Sequence, residues 1–178
     1  MSELRRTIAL VGMMGAGKSS VGRRLAAKLG VAFHDADAEI EEAAGCSIAE
    51  IFDRYGEMAF RDGERKIVAR LLSAPPHVLA TGGGAFIDPE TRARIRETAI
   101  SVWIKVPVDV LLSRVGKRDT RPLLKNGEPR AILEKLLAAR EPVYAEADLI
   151  VESENGPHGA TVDRILAELQ QRDLVSEP

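Results

Sequence analysis

The chain has 178 residues, 45% of them hydrophobic and 29% charged, with a formal net charge of −2, which fits one compact domain whose core needs no disulfides. So balanced a charge gives no electrostatic reason to expect nucleic acid or an anionic membrane as partner, and no stretch has the length and apolarity of a membrane span or secretion signal. The single Cys46 has no partner for an internal bridge and points to a reducing, cytoplasmic setting.

Residues 7–11 read as a short buried strand. It runs straight into Gly12-Met13-Met14-Gly15-Ala16-Gly17-Lys18-Ser19, which fits G-x-x-x-x-G-K-[ST], the phosphate-binding loop. The glycines let the backbone turn its N–H groups onto an anion. Lys18 adds a charge for the β- and γ-phosphates, and Ser19 a hydroxyl for Mg²⁺. Residues 18–29 repeat Val21, Leu25 and Leu29 at helical spacing, and the positive end of that helix points at the same spot until Gly30 stops it. Strand, loop and helix in this order imply a bound nucleoside triphosphate.

Residues 31–34 form a second strand that ends in Asp35-Ala36-Asp37. Glu39, Glu41 and Glu42 beyond it read as the solvated start of a helix. Asp35 and Asp37 sit at the strand end beside the phosphate loop, where a kinase needs a carboxylate for the acceptor hydroxyl and another near the metal. Ser47-Ile48-Ala49-Glu50 is a capping box opening a short helix that Gly56 ends. A longer helix runs from about 57 to 73 and stops before Pro75-Pro76. Its apolar stripe of Phe60, Ile67, Val68 and Leu71 contains Glu64, costly there unless paired, and Arg61 is three residues away. Arg61 held by Glu64 and aimed into a cleft suits an anionic substrate.

A third strand, 77–80, closes on Thr81-Gly82-Gly83-Gly84, glycines that suit a molecule packed against the backbone. Asp88-Pro89 opens a helix, 100–106 is a fourth strand, and Pro107 starts a helix through about Arg114. From 114 to 125 the chain carries Arg114, Lys117, Arg118, Arg121 and Lys125 against Asp119. The plain reading is a solvated basic loop; with Pro122-Leu123-Leu124 as anchor it is also suited to be a flap that closes over a triphosphate. Residues 129–140 are helical, 149–151 a fifth strand, 161–169 the closing helix, and 171–178 a frayed tail. Alternating strands and helices imply an α/β fold, a parallel sheet covered on both faces, with ligands beyond the carboxyl ends of its strands.

The motifs taken together resemble the shikimate kinases. The resemblance rests on Gly12–Ser19, Asp35-Ala-Asp37 with Glu39-Ile40-Glu41, Gly45 with Ile48-Ala-Glu-Ile-Phe52, Gly56-Glu57, Phe60-Arg61 and Glu64, and continues in Thr81-Gly-Gly-Gly-Ala85, Arg121-Pro-Leu-Leu124 and Arg140-Glu-Pro-Val-Tyr144 with Ala147-Asp148. It implies a three-layer α/β/α P-loop kinase fold of the nucleoside-monophosphate-kinase kind, with a central five-stranded parallel sheet in the order 2-3-1-4-5. One domain would span 1–178, with a substrate-binding segment at about 35–64 and a mobile lid at about 114–125. The implied reaction moves the γ-phosphoryl group of ATP to the 3-hydroxyl of shikimate, in chorismate and aromatic amino acid biosynthesis, with Mg²⁺ as cofactor, in a cytoplasmic monomer.

Carried over position by position, the resemblance makes Lys18, Asp37 and Arg121 catalytic. It assigns ATP to Gly15, Ala16, Gly17, Lys18, Ser19, Ser20, Arg114, Arg121 and Pro157, with Arg114 near adenine and 153–157 as the adenine loop. Shikimate falls to Asp37, Arg61, Gly82, Gly83, Gly84 and Arg140, with the two arginines on its carboxylate. The metal falls to Ser19 directly and to Asp35 through water. Where many phosphate-loop enzymes carry a metal-binding aspartate after the third strand, this chain has Thr81 and glycines, an absence the resembled family shares. Alternatives are a related kinase for gluconate or a nucleoside monophosphate, or a nucleotide-hydrolysing switch, although the Asn-Lys-x-Asp base-reading motif of switch GTPases does not occur.

Overall fold

The computed structural model describes residues 3–115 and 128–175. Five strands, β1 (Thr7–Val11), β2 (Phe33–Asp35), β3 (Val78–Ala80), β4 (Ala99–Lys105) and β5 (Leu149–Glu152), form one sheet in the order β2-β3-β1-β4-β5. Every pairing is parallel. The helices α1 (Lys18–Leu29), α2 (Ala36–Ala44), α3 (Ile48–Leu72), α4 (Pro89–Thr98), α5 (Val108–Val115), α6 (Pro129–Tyr144) and α7 (His158–Gln171) cover its two faces. β1 lies at the centre with every residue buried, which is why its sequence is a continuous apolar run rather than an alternating one. The expected sheet order and layering are therefore present.

Three boundaries differ from the sequence reading. β2 begins at Phe33 because Val31 is used to close α1: its N–H donates to Ala26 O while Gly30, at φ 68°, donates to Ala27 O, a left-handed helix end that holds the chain out of the sheet. α6 continues past the expected end at Arg140 through Pro142 to Tyr144, although a proline inside a helix forfeits a backbone hydrogen bond; the last turn is retained because Arg140 and Tyr144 are both buried against the rest of the protein. The C-terminal stretch is ordered as far as Val175, where Leu174 N–H donates to Leu169 O and Val175 bridges to Leu4. The expected fraying from Gln171 is corrected for these residues.

Two elements shape the cleft at the carboxyl end of the sheet. The acidic segment after β2 forms α2, capped by Asp35, whose Oδ1 accepts from Ala38 N–H at 3.2 Å. α3 is broken at Gly56, which holds φ 83° and ψ 173°, a region only glycine populates freely. The short arm before Gly56 and the long arm after it match the expected pair of helices, and the break lets both line one cavity.

Candidate active site

The loop between β1 and α1 wraps the end of the central strand. Lys18 is buried to 8% exposure and its Nζ donates to Gly12 O at 2.7 Å and Met13 O at 2.8 Å. The cation thus lies over the loop itself, at the N-terminus of α1, where both charge and dipole favour an anion. Ser19 Oγ donates to Asp35 Oδ2 at 2.5 Å, so Asp35 is held from one side by the loop and on the other caps α2. This hydroxyl–carboxylate pair is an all-oxygen donor set suited to Mg²⁺. Among the described residues there is no cluster of three or more His, Cys, Asp or Glu that could hold a metal by itself.

Across the cleft, the turn after β3 is approached from three sides. A Cβ on Gly82 would stand 2.8 Å from Asp37 Oδ1 and 2.9 Å from Glu64 Oε2, and one on Gly84 would stand 2.6 Å from the Arg61 guanidinium. Only glycine admits such close approach. Arg61 Nη1 pairs with Glu64 Oε1 at 2.9 Å, and Arg61 lies 3.6 Å from Glu57. Glu64 is 2% exposed, and its Oε2 is buried without a hydrogen-bond partner among the described residues. Burial raises its carboxyl above the ordinary value of 4.5 against the pull of Arg61, and the charges of Asp37 and Asp88 add to the rise. From α6, Arg140 Nη1 donates to Gly83 O at 3.3 Å.

These groups line two adjoining cavities of about 590 and 500 Å³. The first holds Gly15, Gly17, Lys18, Ser19, Ser20 and Arg114, and Arg114 Nη1 donates to Gly15 O at 3.1 Å. The second holds Arg61, Glu64, Gly82, Gly84, Arg140 and the apolar wall of Phe52. Met14, Ser19, Asp35, Asp37 and Gly83 line both. Asp37 therefore stands where the two spaces meet. Ala16 lies behind the loop, its side chain buried and its N–H donating to Met13 O. Pro157 caps α7 and is exposed, outside the first cavity's lining. Arg121 and most of the expected lid lie outside the described residues.

Sequence reasoning missed two contributors. His158, at the start of α7, lines the first cavity, with its ring so close that a Cβ on Gly17 would meet Cε1 at 2.8 Å. Burial, reinforced by Arg114 and Arg24, pushes its pKa below the usual 6.5. No spacing pattern marked this lone histidine. Tyr144 donates its hydroxyl to Gly83 O; its position four residues after Arg140, on the same helix face, was a signal that could have found it.

A family model for shikimate kinase matches residues 14–170. The chain is 62% identical to a shikimate kinase of Paramagnetospirillum magneticum, over 90% of this chain and 83% of the relative. It is 58% identical to a shikimate kinase of Caulobacter vibrioides, over 93% of this chain and 83% of the relative. Among solved structures, the shikimate kinase of Acinetobacter baumannii in complex with shikimate matches with a TM-score of 0.92 at 39% identity, covering 94% of each chain.

Proposed function

We infer the work of this cleft from one premise: the chain belongs to the shikimate kinase family. Its activity is an ATP-dependent phosphoryl transfer to shikimate, and we assign the 3-hydroxyl as acceptor, giving shikimate 3-phosphate for chorismate and aromatic amino acid biosynthesis. Such a transfer needs little covalent help from the protein; it needs in-line positioning and neutralised charge. The observation that carries the residue assignment is the position of Asp37 on the lining of both cavities.

In this reading ATP occupies the first cavity, with Gly15, Ala16, Gly17, Ser19 and Ser20 around its phosphates and Arg114 and Pro157 toward adenine. Lys18 exchanges its loop carbonyls for phosphate oxygens and neutralises charge on the transferring group. Mg²⁺, when bound, supplies further neutralisation of the phosphates; Ser19 would hold it directly and Asp35 through water. Shikimate occupies the second cavity. Arg61 and Arg140 hold its carboxylate, Gly82, Gly83 and Gly84 present backbone to its ring, and Asp37 orients the hydroxyl and accepts its proton. Glu64 keeps the Arg61 guanidinium in place. Arg121, outside the described residues, is assigned to the lid at about 114–125, and 35–64 to the acceptor segment of a single domain.

We also assign a monomer in the cytoplasm. The monomer is what the sequence resemblance implies; the single cysteine suits a reducing compartment, and no helix among the described residues is long and apolar enough to cross a membrane. The test of substrate class is an ADP-release assay with ATP and Mg²⁺ across shikimate, gluconate and nucleoside monophosphates. Turnover is expected with shikimate alone; equal turnover with gluconate would overturn the assignment of the second cavity.

A further inference from the structure

Gly83 and Gly84 are joined by a peptide with no Cβ on either side. Between two glycines a peptide plane rotates more freely than anywhere else in a chain, yet this one borders both cavities. Its orientation is set from α6. Tyr144, at the last position of that helix, is completely buried, with its ring 5.7 Å from that of Trp103 on β4. Its hydroxyl donates to Gly83 O, with Met13 Sδ of the phosphate loop 3.9 Å away. Arg140, one turn earlier, donates to the same carbonyl at 3.3 Å.

In a planar trans peptide the N–H points opposite to the C=O. With the Gly83 carbonyl drawn onto Tyr144 and Arg140, the Gly84 N–H is turned away from the Tyr144 hydroxyl, and Gly84 itself faces the Arg61 guanidinium. We propose that Tyr144 is a positioning residue for the acceptor: its hydroxyl locks the Gly83–Gly84 peptide so that the Gly84 N–H is presented to shikimate in the second cavity. The role rests on the assignment of that cavity to the acceptor. Arg140 lines the second cavity and is suited to share its donors between shikimate and Gly83, whereas the Tyr144 hydroxyl, which also interacts with the Arg140 guanidinium, belongs to the lining of neither cavity and has Gly83 O as its acceptor. Burial raises the phenol above its ordinary value of 10.0, so it remains a donor throughout the neutral range. The Met13 contact places the same hydroxyl against the donor loop, which ties the acceptor turn to the phosphate-binding side.

The test is Tyr144→Phe in the full chain, which keeps the ring and removes only the hydroxyl. The KM for shikimate should rise about fivefold to tenfold, the scale of one lost hydrogen bond, while the KM for ATP stays within about twofold. A purely structural role would lower thermal stability without splitting the two constants. An unchanged shikimate KM, or equal rises in both constants, overturns the proposal. In ¹⁵N-labelled wild-type enzyme the Gly84 amide resonance should shift on titration with shikimate; a silent Gly84 overturns it independently of how the variant folds. Arg61→Ala is the control. If Arg61→Ala also leaves shikimate KM unchanged, the cavity assignment itself falls; if it raises that KM and Tyr144→Phe does not, only the role of Tyr144 falls.

Discussion

Glu64 Oε1 accepts a hydrogen bond from Arg61 Nη1 at 2.9 Å in a site where Glu64 is almost wholly enclosed. The pair crosses one turn of α3 and fixes the guanidinium directly over Gly84. A buried carboxylate is expensive to ionise; in the proposed reading its ionised form orients the cation that lines the second cavity.

This relationship predicts a pH dependence. The Glu64 carboxyl lies above 4.5 in the folded protein, so the folded state binds this proton more tightly than the unfolded chain. Its contribution to stability is therefore full below 4.5 and is lost as pH rises through the raised value. Acceptor binding follows the opposite sign, because the ionised carboxylate anchors Arg61. Shikimate KM should fall as pH rises above 4.5, and this limb should disappear in Glu64→Gln, with KM at neutral pH about threefold to tenfold higher. A Glu64→Gln profile that superposes on the wild type would refute the anchoring role.

Lys18→Ala should lower turnover by about 10²–10³, as removal of a fixed charge stabiliser does. The substitution also removes the two hydrogen bonds from Lys18 to the Gly12 and Met13 carbonyls, so circular dichroism and thermal stability are measured beside turnover. Steady-state kinetics with saturating ATP measure this; a loss below tenfold would remove Lys18 from the transferring charge.

Asp37→Asn should reduce turnover by about 10²–10⁴ while ATP affinity is retained. The amide is nearly isosteric but cannot take a proton. Fluorescence titration with a nucleotide analogue, beside turnover, separates the two effects, and near-normal turnover would end the assignment of Asp37 as base.

Gly82→Ala tests the crowding of carboxylates around the turn. The added methyl carbon would lie within 3 Å of both Asp37 Oδ1 and Glu64 Oε2, so those side chains must move. Turnover should fall by about 10² for a displacement on the order of 1 Å at the reacting centre, with circular dichroism unchanged. Full activity would show that Asp37 need not stand where it does.

How much of this was legible in the chain varies by residue. The phosphate loop was legible in full because Gly12 to Ser19 are consecutive and their spacing is the mechanism. Asp35 and Asp37 were legible from their place at a strand end, and Glu64 from its breach of an apolar stripe. Tyr144 and His158 were not assigned, because nothing local states what a buried hydroxyl or a lone imidazole will face. The end of α6 was misjudged for a related reason: Pro142 is a local signal to stop, and the burial of Tyr144 that overrides it is non-local.

Local order along the chain by itself determined the strand–loop–helix that binds a triphosphate, the alternation that makes a parallel α/β sheet, and the identity of most charged groups in the cleft. Periodicity and contiguous motifs act over a few residues, so they can be read without the fold. Only the tertiary structure decided that two cavities meet at Asp37, that carboxylates close on Gly82 and the Arg61 guanidinium on Gly84, and that Tyr144 reaches Gly83 and Met13. The Tyr144 contacts join segments of the chain 61 and 131 residues apart, and the geometry of the cleft exists only once the sheet order has brought β1, β3 and α6 to one edge.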